Sequence, residues 1–492
     1  PAVDFPLIAP RDSRRAGAVD LPRVLQRLAS AGVMRSPGGQ ADVSIRGYNT
    51  TLSPRLLVLL NGRQVYLDIY GMTNWDLIPV QLAEIRQIEV VTGPNTALFG
   101  FNAVAGVVNI ITYDPINDDV DEVSVRAGSS RHIAGAAIWT LHASERLGAR
   151  LSFGGFDAQA LYNDDVAAQA FLASDAIDPN ARTVNLDLAY DLNPRTRVNL
   201  EASWGRNERL TRYGPGLITF PFETNSLKFS LASETGLGLV NAVVYSNGLE
   251  VGIENRISLA SLELVSKPAP AHITRVAGEL RRNEVDQGTG ELGYDVAALS
   301  GMWSWQASSA LALTTAVRYD HLSLSREGSL PAFFPFSNSD YDREFGEWSY
   351  NLGAVLRFEN GDSLRLSGAR GVGLPSLLDY GSEVVVPVPI MPGMLLIVAG
   401  DPATLPVIVH NVEAGYDRPL ADIGARLRFS VFWQKNEDLR AFASREQILS
   451  LAPFVRALLP AQIGDSEMHG FEASLEGERG SWRWDLRYSY RE

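Results

Sequence analysis

Six histidines, His132, His142, His272, His321, His410 and His469, are the side chains best able to hold a metal or move a proton near neutral pH. They are scattered through strand and loop patterns, which reads them as ordinary interior or rim residues. No Gly-x-Ser-x-Gly elbow, Walker loop or His-Glu-x-x-His occurs. Gly93, Gly100 and Gly106 have the wrong spacing for a dinucleotide loop, and no acid follows at the ribose position. No nucleophile–base arrangement is visible, so an enzyme is the weakest reading and no catalytic residue, metal or cofactor is implied. What stands out instead is charge set into alternating segments. Phe471, Ala473 and Leu475 share one strand face, and Glu472 and Glu476 the other; Ala414 and Tyr416 likewise oppose Glu413. A carboxylate aimed into an enclosed space needs a cation or water. A binding surface is suggested by Tyr66-Leu67-Asp68-Ile69-Tyr70-Gly71-Met72-Thr73-Asn74-Trp75, where aromatics sit beside small polar groups. Phe101, beside Gly100, is a further candidate. The plainer readings are that Tyr70 and Trp75 pack inside the N-terminal domain and that the glutamates line wet space.

The 492 residues are 46% hydrophobic and 20% charged. No apolar run reaches the ~18 residues of a transmembrane helix, and the most apolar stretch, 384–398, is broken by Pro387, Pro389 and Pro392. A chain that crosses a bilayer without such helices must be a closed β-barrel, because lipid satisfies no unpaired backbone group. Composition does not separate that from a large soluble β protein, since barrel strands look half polar. Cysteine is absent, which excludes disulfides and Cys-zinc sites. The net charge of −14 argues against a nucleic-acid partner and slightly favours cationic or neutral ligands over anions.

These residues need elements to carry them. Residues 1–115 read as α/β: Asp20 caps a helix with Leu21, Val24, Leu25 and Leu28 on one face, and Asn61-Gly62 marks a hairpin. From about residue 120 the texture becomes alternating strand. Val198, Leu200, Ala202 and Trp204 oppose Arg197, Asn199, Glu201 and Ser203, and Trp484, Leu486, Tyr488 and Tyr490 oppose Arg483, Asp485, Arg487 and Ser489. Short turns at 193–195, 236–237, 308–309, 359–361 and 479–481 interleave with long segments at 158–181, 207–225, 325–344, 372–406 and 437–466. That rhythm suits a membrane barrel with tight turns at one end and long loops at the other. Roughly 17 strands are expected over 121–492.

Three N-terminal motifs, in order, are Ser44-Ile45-Arg46-Gly47-Tyr48, Leu57-Val58-Leu59-Leu60-Asn61-Gly62-Arg63-Gln64-Val65-Tyr66, and residues 84–112. The last contains Ile88-Glu89-Val90-Val91-Thr92-Gly93-Pro94, Ala97-Leu98-Phe99-Gly100 and Gly106-Val107-Val108-Asn109-Ile110-Ile111-Thr112. Together they closely resemble the plug domain of TonB-dependent outer-membrane receptors. Arg370-Gly371-Val372-Gly373-Leu374-Pro375-Ser376-Leu377, Asn411-Val412-Glu413-Ala414-Gly415-Tyr416 and His469-Gly470-Phe471-Glu472-Ala473 are similar to strands of that family's barrel. The resemblance spans roughly residues 18–490 and implies a plug (1–115) inside a transmembrane β-barrel (121–492) of the type that has about 22 strands when complete.

The same resemblance implies TonB-dependent active import across the bacterial outer membrane, most commonly of a ferric siderophore, with cobalamin, haem or saccharide as alternatives. The implied partners are the TonB–ExbB–ExbD energy-transducing complex, the small-molecule ligand and outer-membrane lipid. The TonB box and signal peptide are expected upstream of residue 1. In the family two plug arginines pair with two barrel glutamates as a latch; Arg46, Glu413 and Glu472 match, but Thr92 stands where the second arginine is expected. One glutamate is then left for water or another cation, with Arg86 as the candidate. Substrate in the family sits between the plug apices and the outer loops, which makes Tyr66, Asp68, Tyr70, Asn74, Trp75 and Phe101 the candidate contacts. An odd strand count further suggests missing C-terminal strands and a wall open between its first and last strand. The rival class is a non-transporting, β-rich envelope binding protein, which predicts polar residues on both strand faces.

Overall fold

Asp20 accepts a hydrogen bond from the backbone N–H of Arg23 at 2.8 Å and so caps the short helix α1 (Leu21–Leu25), whose Leu21, Val24 and Leu25 are buried together with Leu28. The computed structural model describes residues 7–8, 17–28, 30–35, 41–47, 55–159, 178–213, 216–330, 332–387 and 395–492. Tyr48 and parts of the segments 158–181, 207–225, 325–344 and 372–406 lie outside the described residues. In the N-terminal domain, β2 (Ala31–Arg35) and β3 (Ala41–Ile45) pair by themselves. A separate five-stranded sheet contains β1 (Leu7–Ile8), β4 (Leu56–Leu60), β5 (Arg63–Gln64), β6 (Ile85–Thr92) and β7 (Gly106–Thr112), in the order β1-β6-β7-β4-β5. Asn61 and Gly62 turn the β4–β5 hairpin with φ of 50° and 80°, as the Asn-Gly signal predicts. Between β6 and β7 a one-turn helix α2 (Thr96–Phe99) follows the Gly93-Pro94 break. A Cβ at Gly106 would stand 2.4 Å from the Val91 carbonyl oxygen, so β6 and β7 can meet there only through glycine. Val58, Leu60, Ile88, Val90, Val108 and Ile110 form the core with the leucines of α1.

The remainder is wall. It begins with β8 (Glu122–Ala127), β9 (Ile133–Ser144), β10 (Leu147–Asp157), β11 (Asn180–Asn193), β12 (Thr196–Tyr213), β13 (Gly216–Thr235) and β14 (Gly238–Glu250). It continues with β15 (Glu254–Ala269), β16 (His272–Asp286), β17 (Gly290–Gln306), β18 (Leu311–Gly328), β19 (Arg343–Arg357) and β20 (Ser363–Gly373). A short helix α3 (Leu377–Gly381) and a loop hairpin, β21 (Glu383–Pro387) with β22 (Leu395–Ala399), intervene. β20 then pairs directly with β23 (Val407–Leu420), followed by β24 (Ala425–Ala452), β25 (Val455–Arg479) and β26 (Trp482–Arg491). Seventeen described strands thus form the ring, matching the expected count, and side chains alternate across it: Leu280 is 64% exposed and Arg281 5%. Trp204, Tyr488 and Tyr490 face outward, and Tyr488 and Tyr490 meet the Phe471 ring at tilted angles of 36° and 32°. No described helix is long and apolar enough to cross a membrane, which says nothing of crossing by strands.

The N-terminal domain lies inside the ring. Its residues bond to wall strands all the way round, for example Gln81 to Thr183 of β11, Arg63 to Asn247 of β14, Asp68 to Tyr294 of β17, Pro94 to Asn351 of β19 and Arg55 to Asn436 of β24.

Two expectations are corrected. The ring closes, with β26 beside β8, so the wall is not open between its first and last strands. Among the described residues no register joins β26 to β8, so the ring closes there without the antiparallel ladder found at its other joints. The segments 207–225 and 437–466 are not irregular loops: β12 and β13 stay paired out to Tyr213 and Gly216, and β24 and β25 out to Ala452 and Val455. A hairpin that projects beyond the lipid needs no apolar face, so period-two hydrophobicity does not mark it. The tight turns fall where the sequence puts them, between β11 and β12, β13 and β14, β17 and β18, β19 and β20, and β25 and β26.

Candidate functional site

β23, β24 and β25 are neighbours in register, with Glu413 opposite Phe432 and Ser430 opposite Glu472. Strand alternation therefore aims Glu413, Phe432 and Glu472 at one patch of the lumen. Arg46, at the end of β3, fills that patch. Its Nη1 donates to Glu413 at 2.7 Å, and its Nε and Nη2 donate to Glu472 at 3.1 and 3.0 Å. The guanidinium carbon lies 4.1 Å from the Phe432 ring centroid, a cation–π contact. The arginine side chain is 3% exposed, and the two glutamates 17% and 19%. Burial works against the charge, but Glu413 and Glu472 outweigh it, and the guanidinium holds its proton more tightly than usual. The backbone of Arg46 sits at φ 57°, a left-handed conformation in which a non-glycine residue is strained. Its N–H donates to the Ser30 carbonyl at 2.8 Å, which helps hold that conformation.

The expectation of a glutamate left over for Arg86 is corrected. Arg86 is exposed, and one arginine serves both carboxylates because a planar guanidinium has donors on two edges. Thr92 lines a cavity of about 80 Å³ beside the triad, together with Arg365, Arg428, Glu476 and Arg487. Phe432 was not singled out from sequence. Its contact depends on the β23–β24 register, which leaves no local signal.

The six candidate ligand contacts are all buried. Trp75 packs into the plug core with Leu60, Ile78 and Ile85, and Tyr66 into a second plug cluster with Leu57, Val91 and Val107. Asn74 exchanges hydrogen bonds with Asn207 of β12 at 3.0 and 3.4 Å. Asp68 accepts from Asn102 at 3.1 Å and from the Tyr294 hydroxyl at 3.0 Å, with Arg281 at 3.8 Å. Tyr70 meets Phe222 edge-on at 5.9 Å, and Phe101 joins the same cluster.

What covers this apex is the connection after β20. The backbone N–H groups of Leu377 and Leu378 donate to the carbonyls of Asp68 and Ile69 at 3.3 and 3.2 Å. That of Leu374 donates to Asn102 Oδ1 at 2.9 Å. α3 is fixed by a Ser376–Asp379 capping box, and Asp379 is ion-paired to Arg440 of β24 at 3.0 Å. Leu374, Leu377, Leu378 and Tyr380 complete an apolar cluster with Ile69, Tyr70 and Phe101. The Ser-x-x-Asp spacing was the available sequence signal for this cap. No group of three metal-ligating side chains occurs among the described residues.

Residues 7–107 match the family described as the TonB-dependent receptor plug domain, and residues 135–491 match the TonB-dependent receptor-like β-barrel. A vitamin B12 transporter of Photobacterium profundum is 37% identical over 113 residues, 23% of this chain and 18% of that protein. A second, from Vibrio vulnificus, is 34% identical over 125 residues, 25% of this chain and 20% of its own length. The chain thus matches about a fifth of the length of these relatives. Among solved structures, the siderophore receptor PirA of Pseudomonas aeruginosa superposes with a TM-score of 0.74 at 17% identity, covering 99% of this chain and 84% of that one. A mutant ferric enterobactin receptor of the same organism, bound to enterobactin, gives 0.76 at 14% identity, with 99% and 80% covered. At those identities the likeness is one of fold. With family matches over both domains, 135–491 alone being most of its length, the chain belongs to the TonB-dependent receptors.

Proposed function

We propose that this protein imports a scarce small molecule across the bacterial outer membrane, with the plug (1–115) as the moving part and the barrel (121–492) as its housing. The observation that carries this reading is the Arg46–Glu413–Glu472 triad, which ties a folded domain inside the lumen. A pore filled by a bonded plug conducts only if the plug rearranges. The outer membrane has no energy source of its own, so the rearrangement needs an inner-membrane partner: TonB, with ExbB and ExbD. The outward row of leucine, tryptophan and tyrosine side chains supports a lipid-embedded wall over a soluble binding module.

The ligand meets the plug apex when the 374–381 segment withdraws, which exposes Asp68, Tyr70 and Phe101; Tyr66, Asn74 and Trp75 support that surface from below. A ferric siderophore is the first choice. Cobalamin is the second reading, favoured by the identity with vitamin B12 transporters. The test is growth of a gene-deletion strain, with and without tonB, on a panel of ferric siderophores, haem and saccharides as sole sources, and on cyanocobalamin in a cobalamin auxotroph. One source should require both genes. Growth on every source without this gene would end the import reading.

A further inference from the structure

Thr92 leaves the Arg46 triad with one cation against two carboxylates, yet the plug carries a second deeply buried charge. Glu84 is fully buried just before β6, and Arg150 of β10 is 1% exposed. Arg150 Nε stands 3.2 Å from Glu84 Oε2, while its Nη2 donates to Asp187 of β11 at 2.8 Å and to Thr112 Oγ1 at 2.7 Å. Nη1 donates to the Tyr113 carbonyl. The other oxygen of Glu84 accepts from Ser152 Oγ at 2.8 Å and from the Gln81 N–H at 2.7 Å. Plug and wall are thus joined through one guanidinium that touches β7, the residue after it, Glu84 and a neighbouring wall strand.

The two contacts hold different parts of the plug. Arg46 ends the small β2–β3 sheet, whereas Glu84 and Thr112 sit together at one end of the β6–β7 pair, where Ile85 is opposite Thr112, in the interior of the five-stranded sheet. They also reach separate parts of the ring: β26, β8 and β9 lie between β25 and β10. The Arg46 triad includes no residue of the larger sheet, whose Arg63 is tied to the wall by hydrogen bonds to Asn247 and Ser203 and, among the described residues, not by an ion pair. We infer that Glu84 is a second plug lock of reversed polarity, a plug carboxylate seated on the wall's Arg150, and that it positions the five-stranded sheet while Arg46 positions the small one. This deepens the import reading above and rests on it for its biological role.

The test uses the full-length protein. Glu84→Gln keeps the Arg150–Asp187 pair, so the wall should assemble and show normal heat-modifiable migration. Amide exchange of the purified protein should quicken in β6 and β7 of Glu84→Gln with β2 and β3 unchanged, and the reverse should hold for Arg46→Ala. In a porin-deficient strain, Glu84→Gln should admit vancomycin severalfold better than wild type. Exchange altered equally in both sheets, or in neither, overturns the assignment, as does vancomycin exclusion equal to wild type. The exchange experiment reads the lock whether or not the protein imports anything, and the growth panel reads import whether or not the lock exists.

Discussion

Arg46 carries several contacts at once: two carboxylates, a ring face and a left-handed backbone. Removing the side chain strands two glutamates facing each other across a small space. For a fully buried pair that costs about 3–5 kcal/mol, and the glutamates' partial exposure lowers it. Arg46→Ala should therefore cost about 2–3 kcal/mol of plug stability, read by denaturant-dependent exchange of β2 and β3, while the barrel melts unchanged. Arg46→Lys should recover only part, because an ammonium cannot fork to two carboxylates and stack on Phe432 together. Full recovery by lysine would show that charge alone holds the plug. Arg46, Glu413 and Glu472 were legible beforehand, the first through its motif and the others through strand alternation. Phe432 and the Glu84–Arg150 pair were not, because each joins positions whose neighbourhood is set by register and docking rather than by spacing along the chain.

Helices and strands show the same division. Period two found the wall strands wherever the outward face is apolar, and Asn61-Gly62 found the plug hairpin. Period two missed the ends of β12–β13 and β24–β25, whose strands stay paired out to Tyr213 and Gly216 and to Ala452 and Val455. The cap over the plug apex was missed for a different reason. α3 is a single turn of five residues, too short for any periodicity, and its presence is written only in the Ser376–Asp379 spacing. That carboxylate both completes the capping box with Ser376 and binds Arg440, so Asp379→Asn, which removes the charge facing Arg440, should loosen the cover. The chain has no cysteine, so a single Leu378→Cys reports on this contact without background. Leu378 is 8% exposed, and the thiol should react slowly with a maleimide in the otherwise native protein and several times faster when Asp379→Asn is added. Equal rates would mean that the apolar cluster alone keeps the cover down.

At the scale of the whole molecule, the strand count was readable and the closure was not. Counting alternating segments gives seventeen, and an odd number argues for an open wall if every neighbour must be antiparallel. The ring order closes with β26 beside β8 but without a register between their described residues, and odd-numbered membrane barrels are known. Relative order along the chain cannot reveal this, because the joint lies between the first and last wall strands. The joint has a physical cost. Backbone N–H and C=O groups along a strand edge that lacks a ladder are left to other partners, and among the described residues no register joins β8 to β26. β26 is exposed on both faces along most of its length, whereas wall strands such as β17 show alternate burial towards the plug. Amides of β8 and β26 should therefore exchange far faster than those of β15 and β16, where more than a dozen residue pairs are in register. Exchange of the protein in outer-membrane-like vesicles measures this strand by strand. Protection of β8 and β26 equal to that of β15 and β16 would show a seam as fully laddered as the rest of the wall, and the barrel would then have no weakest line.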